Sequence, residues 1–441
     1  MPSVVAEYRK VLSLLDECPI RQNQSESFDN VQYAIKRFGF DIDPKKVIVV
    51  SGSNGKGSVC ATLEALIKET GARVGTVISP HLIEPTERIR INGRDVSRSM
   101  FCDAYKAVTD EFSETELSYI EVMTLMAVWV FFSGKSSAPV DWAIFEVSVG
   151  GLWDVANAIP HKNCVISRLG SDHEHLLGKS LQDIAKHKYG IVSRYARVVN
   201  LSPPKKLQPL ISAIKEKTKS KWESIEDVDF EVIYRKREVN FSVISPWGQS
   251  EINLPGRRGV ENTMLALKMF EVLGFDPSQY LGALKKINWS CRMQRFEVED
   301  CPCPCPLFLS GDHNLQGIES LIELLDYYPR KKLHVLVSLS AGRDVDEILK
   351  PLFSIPGAVV YLTRSPYKGM TLTAYKKWNK KAAGAWANPG LALDKIKRKA
   401  SKEDMIVVTG SLYLVGKIKE IVTTKTGKKT RPTAPRLELL R

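Results

Sequence analysis

The chain has 441 residues, 44% of them hydrophobic and 26% charged, with 63 Lys and Arg against 50 Asp and Glu and a net charge of +13. This composition excludes a disordered or collagen-like chain, and the length implies two domains or more. No apolar run approaches the roughly 18–20 residues of a membrane-spanning helix, and the segment Met1 to Glu7 lacks a charged stretch followed by an apolar one, so a cytoplasmic protein with no membrane partner is expected.

From residue 46 onward, apolar β-branched runs alternate with helical patterns, the signature of a parallel sheet wrapped by helices. Lys46 to Val50 reads as a buried strand, Ser58 to Glu69 as the helix after it and Val74 to Ile78 as the next strand. Leu117 to Phe132 reads as a helix packed on the sheet, followed by strands at Trp142–Val147 and Val165–Ser167 and a helix from Leu181 to Val192. Between about 228 and 253 short alternating strands around Phe230, Val232, Tyr234, Val239, Phe241 and Val243 imply a small antiparallel excursion. Helix returns at Asn262 to Leu273. Strands at Leu307–Leu309, Leu333–Val337, Val359–Leu362 and Met405–Val408 then mark a second, smaller domain. The expectation is a doubly wound α/β domain over residues 1–296 and a smaller, Rossmann-like α/β domain over 297–441, without internal repeats.

Eight cysteines are too few for a disulfide scaffold in a chain of this length. Cys301, Cys303 and Cys305 alternate with prolines, which fits neither a paired metal-ligand spacing nor a central strand; a solvent-touched connector with reduced thiols is expected. Basic residues cluster at Lys205-Lys206, Lys285-Lys286, Lys380-Lys381 and from Lys425 to Arg441. They read as solvated faces and a frayed end, and no nucleic-acid partner is expected.

After the first strand comes Ser51-Gly52-Ser53-Asn54-Gly55-Lys56-Gly57-Ser58, and then helix. Strand, glycine loop and helix in that order make a phosphate site. Glycines permit close backbone approach, amides and the helix N-terminus face the anion, the lysine adds a cation and the last hydroxyl can ligate magnesium. The spacing is a shortened G-x-x-G-K-G-S, because Val50 stands where the usual pattern has its first glycine. Further polar clusters stand at strand ends, where open α/β sheets bind ligands: Ser79-Pro80-His81-Leu82, Glu146, Asp172-His173 and Asn314. A carboxylate inside an apolar strand is costly unless paired or bound to a cation, so Glu146 reads as a magnesium ligand ahead of a structural salt bridge. Taken alone, His173 reads as a hydrogen-bonded loop histidine and Lys188 as a surface lysine.

Together these segments resemble the folylpolyglutamate synthase and dihydrofolate synthase family, a branch of the Mur ligase superfamily. The likeness runs in order through Gly52–Ser58, Ser79–Leu82, Glu87–Gly93, Glu146-Val147, Gly150-Gly151, Asp154, Asn157, Asp172-His173, Leu177 to Ile191, Trp289, Arg292, Gly311, His313, Asn314 and Gly410–Leu414. The resemblance implies an ATP-dependent ligase that joins glutamate to dihydropteroate or a reduced folate through an acyl phosphate. In that family Gly52, Ser53, Asn54, Gly55, Lys56, Gly57 and Ser58 would bind ATP with Asn262, Arg292, Asp312 and His313. Ser58, Ser79, Glu146 and His173 would hold magnesium, and Ser79, His81, Arg88 and Asp154 would face the substrate. Lys56, His173, Lys188 and Arg292 would be catalytic. Lys188 matches a position that family members carry as a carbamate, and a monovalent cation assists some of them. A monomer is expected.

Departures cluster on ligand-facing positions. Ser148, Val149, Leu152 and Trp153 replace glycine, leucine, arginine and leucine of the family string; Arg258 and Gly259 replace histidine and glutamine; Ser290 and Cys291 replace proline and glycine; Ser310, Asp312 and Leu315 replace aspartate, alanine and proline. Asp312 offers a carboxylate two positions beyond the lost one. Alternatives are a ligase of this type acting on another carboxylate and amino acid, a non-catalytic nucleotide-binding protein, and a plain phosphate-loop hydrolase.

Overall fold

The computed structural model describes residues 3–19, 24–113, 116–135, 138–171, 173–226, 228–235, 238–296 and 305–425. The chain divides into two compact units. One comprises Met1–Asp229, Val243–Ser250 and Gly259–Ile287; the other comprises Phe230–Ser242, Glu251–Arg258 and Asn288–Arg441.

The first unit is built on eight strands: β1 (Val47–Ser51), β2 (Val74–Val77), β3 (Ile89–Ile91), β4 (Arg94–Asp95), β5 (Trp142–Glu146), β6 (Asn163–Ile166), β7 (Arg197–Leu201) and β8 (Lys221–Ile225). Their order is β4-β3-β2-β5-β1-β6-β7-β8. From β2 to β8 in that order every pairing is parallel, while β3 and β4 add an antiparallel edge. Both β1 and β5 are buried along their whole length, as expected for central strands covered by helices on both faces. The helix Tyr119–Phe132 is apolar all round and buried over Glu121–Phe131, which marks a helix sunk into the core rather than laid on the surface. From β1 the chain winds first to β2 and β5 on one side, then to β6, β7 and β8 on the other. The reversal therefore falls at β1, and the crevice beyond the carboxyl ends of β1, β5 and β6 is where such sheets take ligands.

Three further strands, β9 (Asp229–Arg235), β10 (Glu238–Ser245) and β11 (Gly248–Ile252), form a small sheet in the order β11-β10-β9. The second unit carries β12 (Gln294–Phe296), β13 (Leu307–Leu309), β14 (Leu333–Val337), β15 (Ala358–Thr363), β16 (Gly384–Trp386) and β17 (Met405–Thr409) in the order β12-β13-β17-β14-β15-β16. All pair parallel except β12 with β13.

Cys305 is fully buried, not solvent-touched, because it leads directly into the buried strand β13; it is a free thiol. Cys301, Cys303, Asp172 and residues 426–441 of the basic tail lie outside the described residues. Among the described residues, no helix is long and apolar enough to cross a membrane.

Candidate active site

The phosphate loop leaves β1 at Ser51 and turns into the helix Lys56–Glu69. Gly55 caps that helix in the left-handed region at φ 91°. A Cβ there would lie 2.2 Å from Asn262 Oδ1, so glycine is what allows Asn262, itself buried, to close on the loop. The segment after β6 holds the loop from the other side. Ser53 N and Asn54 N donate to Arg168 O at 3.0 and 3.3 Å, Ser167 Oγ donates to Asn54 O at 2.7 Å, and Gly170 N donates to Ser53 Oγ at 3.0 Å. Ser58 is buried in the first turn of the helix.

Lys56 folds back so that Nζ donates to Gly52 O at 3.1 Å. Lys188 Nζ reaches the same oxygen at 2.9 Å from the last turn of the helix Leu181–Tyr189. Lys188 is only 2% exposed, which corrects its reading as a surface lysine. A tight turn places it there: Gly151 has φ 157°, and Leu152 N donates to His187 O at 2.8 Å, pinning the end of that helix beneath the turn. A Cβ on Gly151 would sit 2.6 Å from the same carbonyl.

Glu146 ends β5 beside β1, in register with Val50. It is 8% exposed, and its Oε2 accepts from Ser79 N at 3.0 Å. The first contact that satisfies Glu146 is thus the loop expected to face the substrate. Ser58, Ser79 and Glu146 offer oxygen donors with a single carboxylate; such a set suits magnesium, which keeps waters and phosphate oxygens in its shell. Among the described residues no group of three or more His, Cys, Asp and Glu is gathered to form an all-protein metal cage. His173 stands in the left-handed region at φ 53°, capping the short helix Glu174–Leu177.

Ser79, Arg88 and Asp154 line one small cavity with Ile120, Thr124 and Glu146. His81 sits behind it, accepting at Nδ1 from Arg88 Nε at 2.9 Å. Burial, and secondarily the Arg88 cation, pull the His81 imidazole down to about 4, so the ring is a neutral acceptor that orients the guanidinium. Asp154, expected to face the substrate, is held in place by its own loop while lining this cavity. Its carboxylate accepts from Ser148 N (3.0 Å), Ser148 Oγ (2.5 Å), Val149 N (3.0 Å) and Ala156 N (3.0 Å). Four protein donors hold it, and it fixes the loop wall.

Arg292, Asp312 and His313 belong to the second unit. Arg292 lies between two residues in the left-handed region, Cys291 at φ 60° and Met293 at φ 52°. Gly311 N donates to Cys291 O at 2.8 Å, and Arg292 NH1 shares that oxygen at 3.2 Å. His313 Nδ1 contacts Gly311 O at 2.9 Å. Asp312 accepts from Ser310 Oγ at 2.6 Å. Ser338 and Ser340, after β14, escape notice in the sequence, since isolated serines after strands carry no motif; Ser340 Oγ lies 3.3 Å from Oγ of Ser411, which follows β17 within the Gly410–Leu414 motif.

Two family profiles match. One is described as the Mur ligase middle domain, over residues 50–270, and the other as the dihydrofolate synthetase C-terminal domain, over residues 297–421. The chain is 27% identical to a dihydrofolate synthase/folylpolyglutamate synthase of Mycobacterium tuberculosis, over 93% of this chain and 88% of that protein. It is 24% identical to a probable bifunctional folylpolyglutamate synthase/dihydropteroate synthase of Haloferax volcanii over 92% of this chain, and spans 49% of that longer protein. The solved structure of Mycobacterium tuberculosis folylpolyglutamate synthase complexed with ADP superposes with a TM-score of 0.82 at 24% identity, covering 98% of this chain and 100% of that one.

Proposed function

The chain belongs to the Mur ligase family, on the branch of the dihydrofolate and folylpolyglutamate synthases, and from that premise we propose that it is an ATP-dependent ligase joining glutamate to the carboxylate of a pteroate or reduced folate. The observation that carries this reading is the meeting of Lys56 and Lys188 on one carbonyl of the phosphate loop, with Glu146 on the neighbouring strand. A plain phosphate-loop hydrolase gives Lys188 no task.

A carboxylate cannot lose oxide to an attacking amine. In the reaction proposed, a carboxylate oxygen attacks the γ-phosphorus of ATP and the bond to the bridging oxygen breaks, releasing ADP and leaving an acyl phosphate. The amine of glutamate, having lost a proton, then attacks the acyl carbon, and phosphate departs. Lys56 and the loop amides bind and neutralise the phosphates, and Arg292 steadies the acyl phosphate. Ser58, Ser79, Glu146 and His173 are the candidate magnesium ligands; when bound there, magnesium supplies charge neutralisation for the phosphoryl group. The apolar wall at Ile120 and the oriented Arg88 exclude water from the acyl group.

Carbamylation of Lys188 is part of the proposal. It would turn a like-charged pair into an oppositely charged one and add an oxygen anion beside the loop. Asp154 and Ser148 shape the acceptor site, and Asn262, Asp312 and His313 serve the nucleotide. A second acceptor is favoured by one feature: Leu152 stands for the family's arginine, and Trp153 beside it is 40% exposed, edge-on to Phe28 at 5.8 Å. A cytoplasmic monomer completes the reading.

The test uses a dihydropteroate or tetrahydrofolate substrate carrying ¹⁸O in its carboxylate, with ATP, magnesium and glutamate. One ¹⁸O should appear in the released phosphate for each amide formed. ADP release at the same rate without glutamate and without oxygen transfer would overturn the ligase reading.

A further inference from the structure

Arg168 stands two residues after β6 and holds two separate segments by different atoms. Its carbonyl oxygen receives Ser53 N and Asn54 N. Its guanidinium grips Glu261 with two parallel bonds, Nε to Oε2 at 3.0 Å and NH2 to Oε1. The carboxylate is nearly buried, 7% exposed, whereas the guanidinium is 42% exposed. Glu261 immediately precedes Asn262, the side chain closed on Gly55. One residue thus ties the middle of the phosphate loop to the helix turn bearing Asn262, across ninety-three positions of sequence.

We propose that Arg168 is a positioning residue for the nucleotide, acting through Glu261. The inference rests on the nucleotide-binding reading of the loop. A fork-shaped guanidinium meeting a carboxylate in two bonds fixes direction as well as distance. A swing of the Glu261 turn would carry Asn262 off Gly55 and slacken the Ser53–Asn54 amides together. Gly259, where the family has glutamine, offers no side chain to hold this helix to the nucleotide, and the Arg168–Glu261 fork supplies the missing constraint. The bonds of Arg168 run to the phosphate loop and to the helix bearing Asn262, so its effect falls on ATP.

The experiment titrates the full-length chain with magnesium and a fluorescent ADP analogue, alongside steady-state kinetics. Arg168→Ala should weaken nucleotide binding and raise KM for ATP about tenfold, the usual scale for a coupled, partly buried pair, with kcat and the KM values for both other substrates held within about twofold. Glu261→Gln keeps the shape and should do the same. The double variant should be no worse than either single one, and Arg168→Lys, which keeps the charge but loses the fork, should recover only part of the affinity. Unchanged nucleotide affinity in Arg168→Ala or Glu261→Gln, additive effects, or a fall in kcat at constant KM for ATP would each overturn the inference. Failure of the unaltered chain to bind the analogue would instead remove the nucleotide reading itself, and is seen before any variant is compared.

Discussion

Lys56 and Lys188 donate to the same atom, the carbonyl oxygen of Gly52, at 3.1 and 2.9 Å. Their nitrogens are therefore at most about 6 Å apart. Two cations at that separation repel by about 3 kcal/mol at an effective dielectric near 20, in a place where one of them is 2% exposed. A carbamate on Lys188 reverses the sign of that interaction. Removal of carbon dioxide and bicarbonate from the assay should therefore lower the rate several-fold, with recovery on adding bicarbonate. Lys188→Ala should lose activity by about a hundredfold or more, the scale for a preorganised charged group, and short carboxylic acids should restore part of it. A bicarbonate-independent rate, with no carbamate carbon resonance from the folded chain in ¹³C-bicarbonate, would count against the carbamate.

Cys291 occupies a left-handed backbone position beside Arg292, φ 60°, and is fully buried. An L-residue there bears roughly 1–2 kcal/mol of strain that glycine avoids. Elsewhere alanine is more favourable than glycine by about 0.5–1 kcal/mol, so here the order should invert. Cys291→Ala keeps the strain and loses the sulfur contact; Cys291→Gly loses the contact and the strain. We expect Cys291→Gly to be more stable than Cys291→Ala by about 1 kcal/mol in urea unfolding, with the KM for ATP unaltered. Alanine equal to or better than glycine would show that the neighbourhood, not the backbone, sets the energy at this site.

The parts of this molecule legible in its sequence are those where one physical signal is strong. Val47 to Val50 is an unbroken β-branched run because β1 is buried on both faces, and the glycine loop follows it directly. By contrast, β8 (Lys221–Ile225) is an edge strand whose exposed Lys221, Glu223 and Ser224 erase any alternation, and β16 is three residues long. Neither offers a period to detect. The helix Val4–Asp16 buries Tyr8, Val11 and Leu15, a legible spacing that lies ahead of the α/β alternation beginning at Lys46. At the site, Lys56 and Glu146 could be picked out because each breaks a local rule. Lys188 could not, since its burial depends on Gly151 meeting a helix end far along the chain. Asp154 stands out only through the family motif, because what holds it, the amides of Ser148, Val149 and Ala156 and the Ser148 hydroxyl, belongs to its own loop and leaves no local pattern.

Arg90 on β3 and Glu64 on the phosphate-loop helix form an ion pair at 3.1 Å with side chains 9% and 4% exposed. Burial raises the Glu64 carboxyl while Arg90 pulls it back. Breaking such a pair leaves one charge desolvated and alone, typically at a cost of about 3–5 kcal/mol, whereas replacing both partners with apolar groups is often nearly neutral. Arg90→Met and Glu64→Leu should each lower the unfolding midpoint strongly. The double variant should recover most of the loss, giving a large coupling energy in a double-mutant cycle. Additive losses would mean that the two residues stabilise the edge of the sheet separately.

In the second unit, Asp404 precedes β17 and contacts His334 Nε2 at 3.3 Å, while His334 Nδ1 faces Tyr361 OH at 3.2 Å. Burial pushes the Asp404 carboxyl up, but the Ser401 donors and His334 outweigh it and hold the group below the usual carboxylate range. A carboxyl depressed on folding binds its proton more readily in the unfolded chain. Its contribution is therefore complete above about pH 4, where the unfolded group is also ionised, and fades as pH falls through the lower folded value. Asp404→Asn should destabilise the chain at neutral pH and flatten the acid limb of stability against pH below about 4. The comparison is best made on the unfolding step that exposes Tyr361, which is buried in the folded chain, followed by tyrosine absorbance. An acid limb identical to that of the unaltered chain would show that Asp404 stays paired through His334 alone and releases no pH-dependent energy.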